Sequence, residues 1–368
     1  MPPLTLMIKP VSGSCNMACR YCFYCDELCA RTQPHLARMS RETLQAVVGR
    51  VLETAEESCT LIFQGGEPTL AGLDFYKSLL ELERRLNRRR IRIQHCLQTN
   101  GYALTDAWAR FFAENHFLVG LSLDGPRELH DSCRVDRQGN GTFDRVMETA
   151  ALFRRRGVQF NILTVVTDGT ARRAGEVYDF FRRCGFEWQQ YIPCLDPLFS
   201  AGERVRFLTE QRYSEFLKTL FDLWYGDLRR NRYVYNRTFE NYVAMLAGRP
   251  PESCNMAGAC SVQYLVEADG SVYPCDFYAV DAYRLGNLCT DSFEQLDAVR
   301  RSVRFIEDSA VLPEACGVCR WLPLCRGGCR RERDMGGGKL GTDRFCSAYR
   351  DFFPYAYARL HELSLLVR

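Results

Sequence analysis

Residues 15–22 read CNMACRYC and come five residues after LTLMIK at residues 4–9, an apolar segment with the composition of a strand. Cys15, Cys19 and Cys22 therefore share one short loop in the spacing C-x3-C-x2-C. Three thiolates on such a loop can hold three irons of a [4Fe–4S] cube and leave the fourth iron without a protein ligand. An iron of this kind is a place where a small molecule can bind.

Zinc is the alternative metal for these thiolates. Structural zinc prefers four closed ligands, and no histidine lies in this loop. Cys25 and Cys29 could supply a fourth ligand, so the local pattern permits both metals. The spacing favours the open iron–sulfur cluster.

Apolar strand-like segments alternate with amphipathic helical segments over the first 195 residues. After residues 4–9, the predicted strands are 59–64, 91–97, 117–123, 159–166 and 188–192. The predicted helices are 40–56, 72–88, 105–115, 142–156 and 171–184, with Ser40, Thr105 and Thr142 as N-caps. Six such units predict an α/β fold, a partial (β/α)6 TIM-type barrel with helices outside a parallel sheet.

Chemically active residues follow several of these strands in succession, which favours a barrel over a doubly wound sheet. The Gly65-Gly66-Glu67 turn follows the second strand, where two glycines let the backbone approach a ligand and a carboxylate could bind an ammonium group. The later loops contribute QTNG at 98–101, Ser122 at the end of the fourth strand, and CLDP at 194–197. We expect these loops to meet at one end of the barrel.

The whole-chain composition excludes several classes of protein. The 368 residues carry a net charge of only +3, which gives no reason to expect a nucleic-acid partner. No run of eighteen apolar residues and no signal peptide is visible, so we predict a cytoplasmic protein with no membrane partner. Nineteen cysteines in such a chain indicate metal ligation, because cytosolic thiols are kept reduced.

The C-terminal part of the sequence is irregular and rich in cysteine. Residues 207–247 predict two helices, followed by a short hairpin at 262–274 and a closing helix at 349–366. Metal cross-links would hold such a region together. The predicted domains are therefore a barrel at 1–235 and a cysteine-rich domain at 236–368.

The cysteine loop together with the GGE turn resembles the radical S-adenosylmethionine (SAM) superfamily, over about residues 1–235. The resemblance implies that SAM chelates the open iron and that GGE contacts the SAM amino group. It also implies that the guanidinium of Arg134 pairs with the SAM carboxylate. The implied SAM-binding residues are Tyr21, Gly66, Glu67, Ser122, Arg134 and Leu195.

The later cysteines resemble the seven-cysteine signature of SPASM domains, in the order C-x9-G-x4-C, C-x2-C-x5-C-x3-C and a final cysteine. With Cys254 as an eighth thiolate, this implies two fully ligated auxiliary [4Fe–4S] clusters and three clusters in all. A pair of zinc ribbons is the structural alternative. The implied ligands are Cys254, Cys260, Cys275 and Cys329 for the nearer cluster, and Cys316, Cys319, Cys325 and Cys346 for the farther one.

Within this group the sequence is similar to the anaerobic sulfatase-maturating enzymes, in MIKP, FQGGEPTLAGL, LQTNG, VGLSLDGP, CLDPL and DGSVYPCDFY. That family oxidises a cysteine or serine in a C-x-P-x-R or S-x-A-x-R segment of a sulfatase to Cα-formylglycine. The likeness implies a reduced donor such as a ferredoxin or flavodoxin, and Asp276 as the catalytic base. An ordinary aspartate has a pKa of about 3.9, so the sequence predicts an ionised Asp276 at neutral pH.

Two alternatives share part of this pattern. Another SPASM peptide-modifying maturase, forming thioether or carbon cross-links, would have every cluster motif. Asp276 in CDFY and the expected lack of a leader-binding domain before the barrel count against it. An electron carrier with ferredoxin-like clusters would have no use for an open iron or a GGE turn.

Overall fold

The computed structural model describes residues 4–33, 36–199, 207–336 and 338–367. The chain divides into two compact units. The first unit comprises residues 1–122, 134–160 and 262–305, and the second comprises 123–133, 161–261 and 306–368. Both units therefore draw on separated stretches of sequence.

The strands in the described part of the chain are β1 (Leu4–Ile8), β2 (Ser58–Phe63), β3 (Arg92–Thr99), β4 (Leu118–Ser122), β5 (Gln159–Val166), β6 (Trp188–Pro193), β7 (Tyr235–Asn236), β8 (Tyr264–Val266), β9 (Ser271–Tyr273) and β10 (Gly286–Asn287).

The α-helices of the same residues are α1 (Phe23–Cys29), α2 (Arg41–Thr54), α3 (Leu73–Leu86), α4 (Asp106–Glu114), α5 (Arg127–Cys133), α6 (Phe143–Arg156), α7 (Asp168–Arg172), α8 (Ala174–Arg183), α9 (Glu210–Arg229), α10 (Arg237–Leu246), α11 (Phe293–Ser302), α12 (Phe305–Ala310), α13 (Glu314–Gly317), α14 (Leu322–Cys325), α15 (Arg330–Arg333) and α16 (Cys346–Leu366). Short 3-10 turns occupy Pro68–Ala71, Cys254–Met256, Asp276–Tyr278 and Asp281–Tyr283.

The sheet of the first unit is built around β1. This strand pairs in parallel with β2 on one side and with β8 on the other, so that Leu6 lies between Leu61 and Tyr264. Beyond β2 the parallel order continues through β3 to β4, and beyond β8 the strands β9 and β10 are antiparallel. Leu6, Ile8 and Phe63 are completely buried, as expected of parallel strands covered on both faces.

The second unit holds most of β5, with β6 parallel to it and β7 parallel to β6. Its core is aromatic. Trp224 of α9 and Phe352 of α16 both pack on Phe239 of α10, with ring centroids 5.2 Å and 5.9 Å away. The two long helices α9 and α16 thus stabilise the part of the chain that carries the later cysteines.

The predicted α/β class is confirmed, because β1 to β6 alternate with helices and pair in parallel within each unit. Ser40 caps α2 as predicted, by accepting a hydrogen bond from Thr43 N at 3.1 Å. Thr142 also precedes its helix, but its hydroxyl donates to the carbonyl of Arg134 at 3.0 Å instead. The helix predicted at 171–184 is two helices, because the backbone at Arg173 leaves helical geometry at φ −113°.

Candidate functional site

The loop after β1 places three cysteines around a short hydrogen-bonded turn. Cys22 N donates to the carbonyl of Cys19 at 3.2 Å, and α1 begins at the next residue. Burial is the main cause that raises the pKa of the Cys15 thiol to about 12, and the nearby Cys19 and Cys22 contribute to that rise. The three thiols are therefore close neighbours, and iron must displace their protons on binding.

Two neighbouring segments fix the position of this cysteine loop. Ala18 N donates to the carbonyl of Val135 at 2.9 Å. The side-chain amide of Asn100, in the turn after β3, donates to Asn16 Oδ1 at 2.8 Å and lies 3.6 Å from Cys15 Sγ. The loops after β1 and β3 therefore meet, as the sequence predicts.

The GGE turn after β2 lies against the backbone of the same loop. Gly66 N donates to the carbonyl of Ser12 at 2.9 Å, and Glu67 N donates to that of Ser14 at 2.8 Å. A Cβ atom at Gly66 would lie 2.1 Å from the carbonyl oxygen of Ser14. Only glycine permits this approach.

The carboxylate of Glu67 is buried and binds protein groups. Its Oε1 accepts hydrogen bonds from the hydroxyls of Thr69 (2.6 Å) and Thr99 (2.9 Å), and its Oε2 accepts from Asn100 N at 2.8 Å. Glu67 thus joins the turns after β2 and β3. The predicted contact of Glu67 with SAM stays a prediction.

The other predicted SAM contacts lie in different places. The buried guanidinium of Arg134 lies over the ring of Tyr21, 5.5 Å from its centroid. Ser122 is the buried last residue of β4. Leu195 is half-buried in the loop after β6 and belongs to the second unit. Their contacts with SAM remain predictions.

A buried ionic network lies beside the cysteine loop, and sequence reasoning did not find it. Lys9 follows β1, and its Nζ lies 3.5 Å from Glu27 Oε2, 3.3 Å from Glu267 Oε1 and 3.7 Å from Asp276 Oδ1. Arg31 Nη2 pairs with Glu267 Oε1 at 2.7 Å. Two cations thus face three carboxylates. The sequence offered one signal of this network: Lys9, one of only four lysines in the chain, stands directly after an apolar strand.

This network places Asp276 under opposing influences. Burial raises the pKa of Asp276 above its ordinary value, while Lys9 and the hydroxyl of Tyr24 act to lower it. That hydroxyl donates to Asp276 Oδ2 at 2.8 Å. Asp276 Oδ1 accepts no hydrogen bond from the described residues. The prediction of an ordinary aspartate is therefore corrected: Asp276 is a buried carboxyl with a raised pKa, and its Oδ1 faces Lys9 at 3.7 Å without a hydrogen bond from those residues.

Glu27 is the second perturbed acid of the network. Burial raises its pKa to about 8, although Lys9 acts in the opposite direction. Burial also acts to raise the pKa of Glu267, but Lys9 and Arg31 outweigh it and leave the pKa below its usual value. The network therefore shifts its two glutamates in opposite directions, with the pKa of Glu27 raised and that of Glu267 lowered.

The second unit brings the later cysteines together in two groups. Burial raises the pKa of Cys329, and the neighbouring thiols of Cys254 and Cys260 raise it further. Burial likewise raises the pKa of Cys325 to about 12, with Cys346 and Cys316 among its neighbours. Cys319 interacts with Cys346. The ligand sets themselves stay predictions, and Cys275 belongs to the first unit.

The chemistry of these donors fits iron–sulfur clusters. All nineteen cysteines are present as thiols rather than as disulfides. Within the described ranges, no three His, Cys, Asp or Glu side chains form a site for a single metal ion. Thiols that ligate a cube bind different irons, so they need not converge on one point. Cysteine thiolates are the ligands that iron–sulfur cubes use.

Comparison with known proteins gives a consistent result. The radical SAM superfamily model matches residues 10–181, and the SPASM iron-sulfur cluster-binding domain matches residues 254–320. A cysteine-type anaerobic sulfatase-maturating enzyme of Clostridium perfringens strain 13 is 44% identical over 98% of both chains. A serine-type enzyme of Bacteroides thetaiotaomicron is 31% identical, over 96% of this chain and 89% of its own.

Solved structures agree with this likeness. Native anSMEcpe with bound AdoMet and Cp18Cys peptide superposes with a TM-score of 0.94 at 43% identity, over 100% of both chains. Streptococcus suis SuiB bound to precursor peptide SuiA matches with a TM-score of 0.63 at 16% identity, over 94% of this chain and 76% of its own. The second likeness shows a shared fold alone.

Proposed function

This chain belongs to the anaerobic sulfatase-maturating enzymes of the radical SAM superfamily, and from that premise we propose that it oxidises an active-site cysteine of a sulfatase to Cα-formylglycine. Its cofactors are SAM and three [4Fe–4S] clusters. The preference for cysteine over serine is supported by identities of 44% and 40% with cysteine-type relatives, against 31% with a serine-type one. This likeness over nearly the whole chain also disfavours the cross-linking alternative.

The first cluster would be held by Cys15, Cys19 and Cys22. When bound, SAM and this cluster would supply the 5′-deoxyadenosyl radical chemistry for hydrogen-atom removal from Cβ of the target residue. The chain must hold that Cβ in place and exclude water. We propose that Arg134 and the backbone of the GGE turn hold SAM, with Tyr21, Ser122 and Leu195 as further contacts.

Besides that hydrogen atom, the target must lose the thiol proton and one electron, for which the auxiliary clusters would be the acceptors. Water must then replace the sulfur, which leaves as sulfide. The observation that carries our assignment of the proton acceptor is the geometry of Asp276. Its carboxyl is buried, is held by Tyr24 through Oδ2, and has Oδ1 without a hydrogen bond from the described residues. Burial raises the pKa of Tyr24, so its hydroxyl stays a neutral donor. We assign Asp276 as the base that accepts the substrate proton, with Lys9 holding it in place.

The test is Asp276→Asn in anaerobic assays with SAM, dithionite and a cysteine or serine peptide. The amide keeps the size of the side chain but not its basicity. We expect continued formation of 5′-deoxyadenosine with little or no aldehyde, and the serine peptide should suffer at least as much because its proton is harder to remove. Asp281→Asn is the matched control, since that carboxylate binds Thr32 at the surface. Near-normal aldehyde from Asp276→Asn would show that another group is the base.

The remaining assignments follow from the family. We propose that the substrate is a C-x-P-x-R segment of a sulfatase, that a ferredoxin or flavodoxin supplies electrons, and that the reaction occurs in the cytoplasm. No described helix is long and apolar enough to cross a membrane. We retain 1–235 and 236–368 as the proposed radical SAM and SPASM domains.

A further inference from the structure

The loop after β6, residues 194–196, is held by an arginine from the last cysteine-rich segment. Arg344 Nη1 pairs with Asp196 Oδ2 at 2.6 Å. Its Nη2 donates to the carbonyls of Cys194 at 3.3 Å and Leu208 at 3.0 Å. One guanidinium thus binds the side chain of Asp196 and the backbone at Cys194 and Leu208, which its planar set of donors permits.

A second arginine binds the same loop. Arg331 is buried, and its Nη2 donates to the carbonyl of Asp196 at 2.7 Å. Arg344 also pairs with Glu332 Oε2 at 3.4 Å, which joins the two arginine-bearing segments. Hydrogen bonds from a charged donor are stronger than neutral ones and weaken little when buried.

The positions of these arginines connect the loop to the later cysteines. Arg331 lies two residues after Cys329, and Arg344 lies two residues before Cys346. The two cysteines are predicted ligands of different auxiliary clusters. All of these residues belong to the second unit, as does Leu195, the predicted SAM contact within the loop.

We propose that Arg344 and Arg331 are positioning residues for SAM binding, which fix the loop 194–196 to the segments that carry Cys329 and Cys346. The proposal rests on the proposed function and on Leu195 as a SAM contact. Neither arginine touches SAM in this proposal. Each acts by limiting the backbone positions of Leu195, so loss of either one lowers the fraction of molecules that are competent to bind.

The experiment compares Arg344→Met with Asp196→Asn in anaerobically reconstituted protein. Asp196→Asn removes the ion pair from the loop side, where no predicted cluster ligand is altered. Arg359→Met is the matched control, because it removes an arginine–aspartate pair of 2.7 Å with Asp222 elsewhere in the same unit. Three quantities are measured: iron per chain, the Kd of SAM by equilibrium dialysis, and amide hydrogen exchange of residues 194–199.

We expect both test variants to keep their iron, to bind SAM about 5- to 50-fold more weakly, and to exchange the loop amides faster. Arg344→Lys should recover part of the affinity, because an ammonium can bind Asp196 but not both carbonyls as well. Arg359→Met should leave the Kd of SAM unchanged.

An unchanged Kd of SAM in Asp196→Asn with full iron content would overturn the proposal, even if Arg344→Met loses iron. If Arg359→Met weakened SAM binding to the same degree, the proposal would also be overturned, because general destabilisation would then explain the effect. Failure of the proposed function looks different. It would appear as wild-type protein that binds SAM but forms no formylglycine from either peptide.

Discussion

Replacing Glu27 by glutamine should make the protein less sensitive to alkaline pH. Glu27 lies in the buried network around Lys9, and burial raises its pKa from 4.5 to about 8. Above pH 4.5 the unfolded chain has lost this proton while the folded chain retains it. The folded state therefore loses stability as the pH rises, and the loss is complete above pH 8. Glutamine cannot ionise, so the variant lacks this loss.

The magnitude follows from the separation of the two pKa values. At 1.36 kcal/mol for each pH unit, the full effect is on the order of 5 kcal/mol. Between pH 6 and pH 8.5 the wild-type protein should lose about 2 to 3 kcal/mol more than Glu27→Gln. For a chain of this length that difference corresponds to about 3 °C in the unfolding midpoint.

The assay is thermal unfolding of reconstituted protein under anaerobic conditions, followed by far-ultraviolet circular dichroism at pH 6, 7 and 8.5. Glu81→Gln is the control, because Glu81 pairs with Arg41 at the surface and both side chains are 55% exposed. We expect its profile to follow the wild type. If Glu27→Gln and the wild type fall in parallel between pH 6 and 8.5, Glu27 is not protonated in the folded protein and our account of the network's charge is wrong.

Three further predictions concern the SAM site. Replacing Cys15, Cys19 and Cys22 by alanine should lower iron from about twelve to about eight atoms per chain and abolish SAM cleavage, whereas stoichiometric zinc in place of the remaining iron would refute the SPASM assignment. Arg134→Ala should weaken SAM binding and slow 5′-deoxyadenosine formation at constant iron content; an unchanged Kd of SAM would make Arg134 a structural residue only. Gly66→Ala places a Cβ 2.1 Å from Ser14 O, so it should displace the cysteine loop and remove about four irons, as measured by iron analysis. A full iron content in that variant would show that the loop can shift without losing its cluster.

The strands and the cysteine loop were predictable because their signals are local. Apolar runs separated by helical spacing predicted β1 to β6 to within about two residues, and the three thiols near β1 needed only a count of intervening residues. Contacts between residues that are far apart in the sequence gave no such signal. Tyr24 and Asp276 are 252 residues apart in sequence, and Arg31 and Glu267 are 236 apart. Only the fold makes them neighbours, so the sequence could suggest Asp276 but not its surroundings.

The role of Glu67 shows a second limit of sequence reasoning. A carboxylate in a glycine-rich turn predicts a ligand contact, and that stays a prediction. The sequence did not show that its oxygens also accept hydrogen bonds from Thr69, Thr99 and Asn100. Which partner a buried carboxylate takes depends on the donors that adjacent strands bring to it. The register of the sheet therefore determines the hydrogen-bond partner, and residue types alone do not reveal that register.

The position of β1 between β2 and β8 has a consequence for synthesis on the ribosome. The segment LTLMI carries no charge and no proline, and its β8 partner emerges about 200 residues after β2 is complete. At about 5 to 20 residues per second, roughly 10 to 40 s pass before β8 exists to cover that edge. An apolar strand edge left open for so long can pair with other chains. A nascent chain that ends before Tyr264 should therefore aggregate or be retained by chaperones. The open edge of β1 is covered only after translation of the hairpin of β8 and β9, which precedes Asp276.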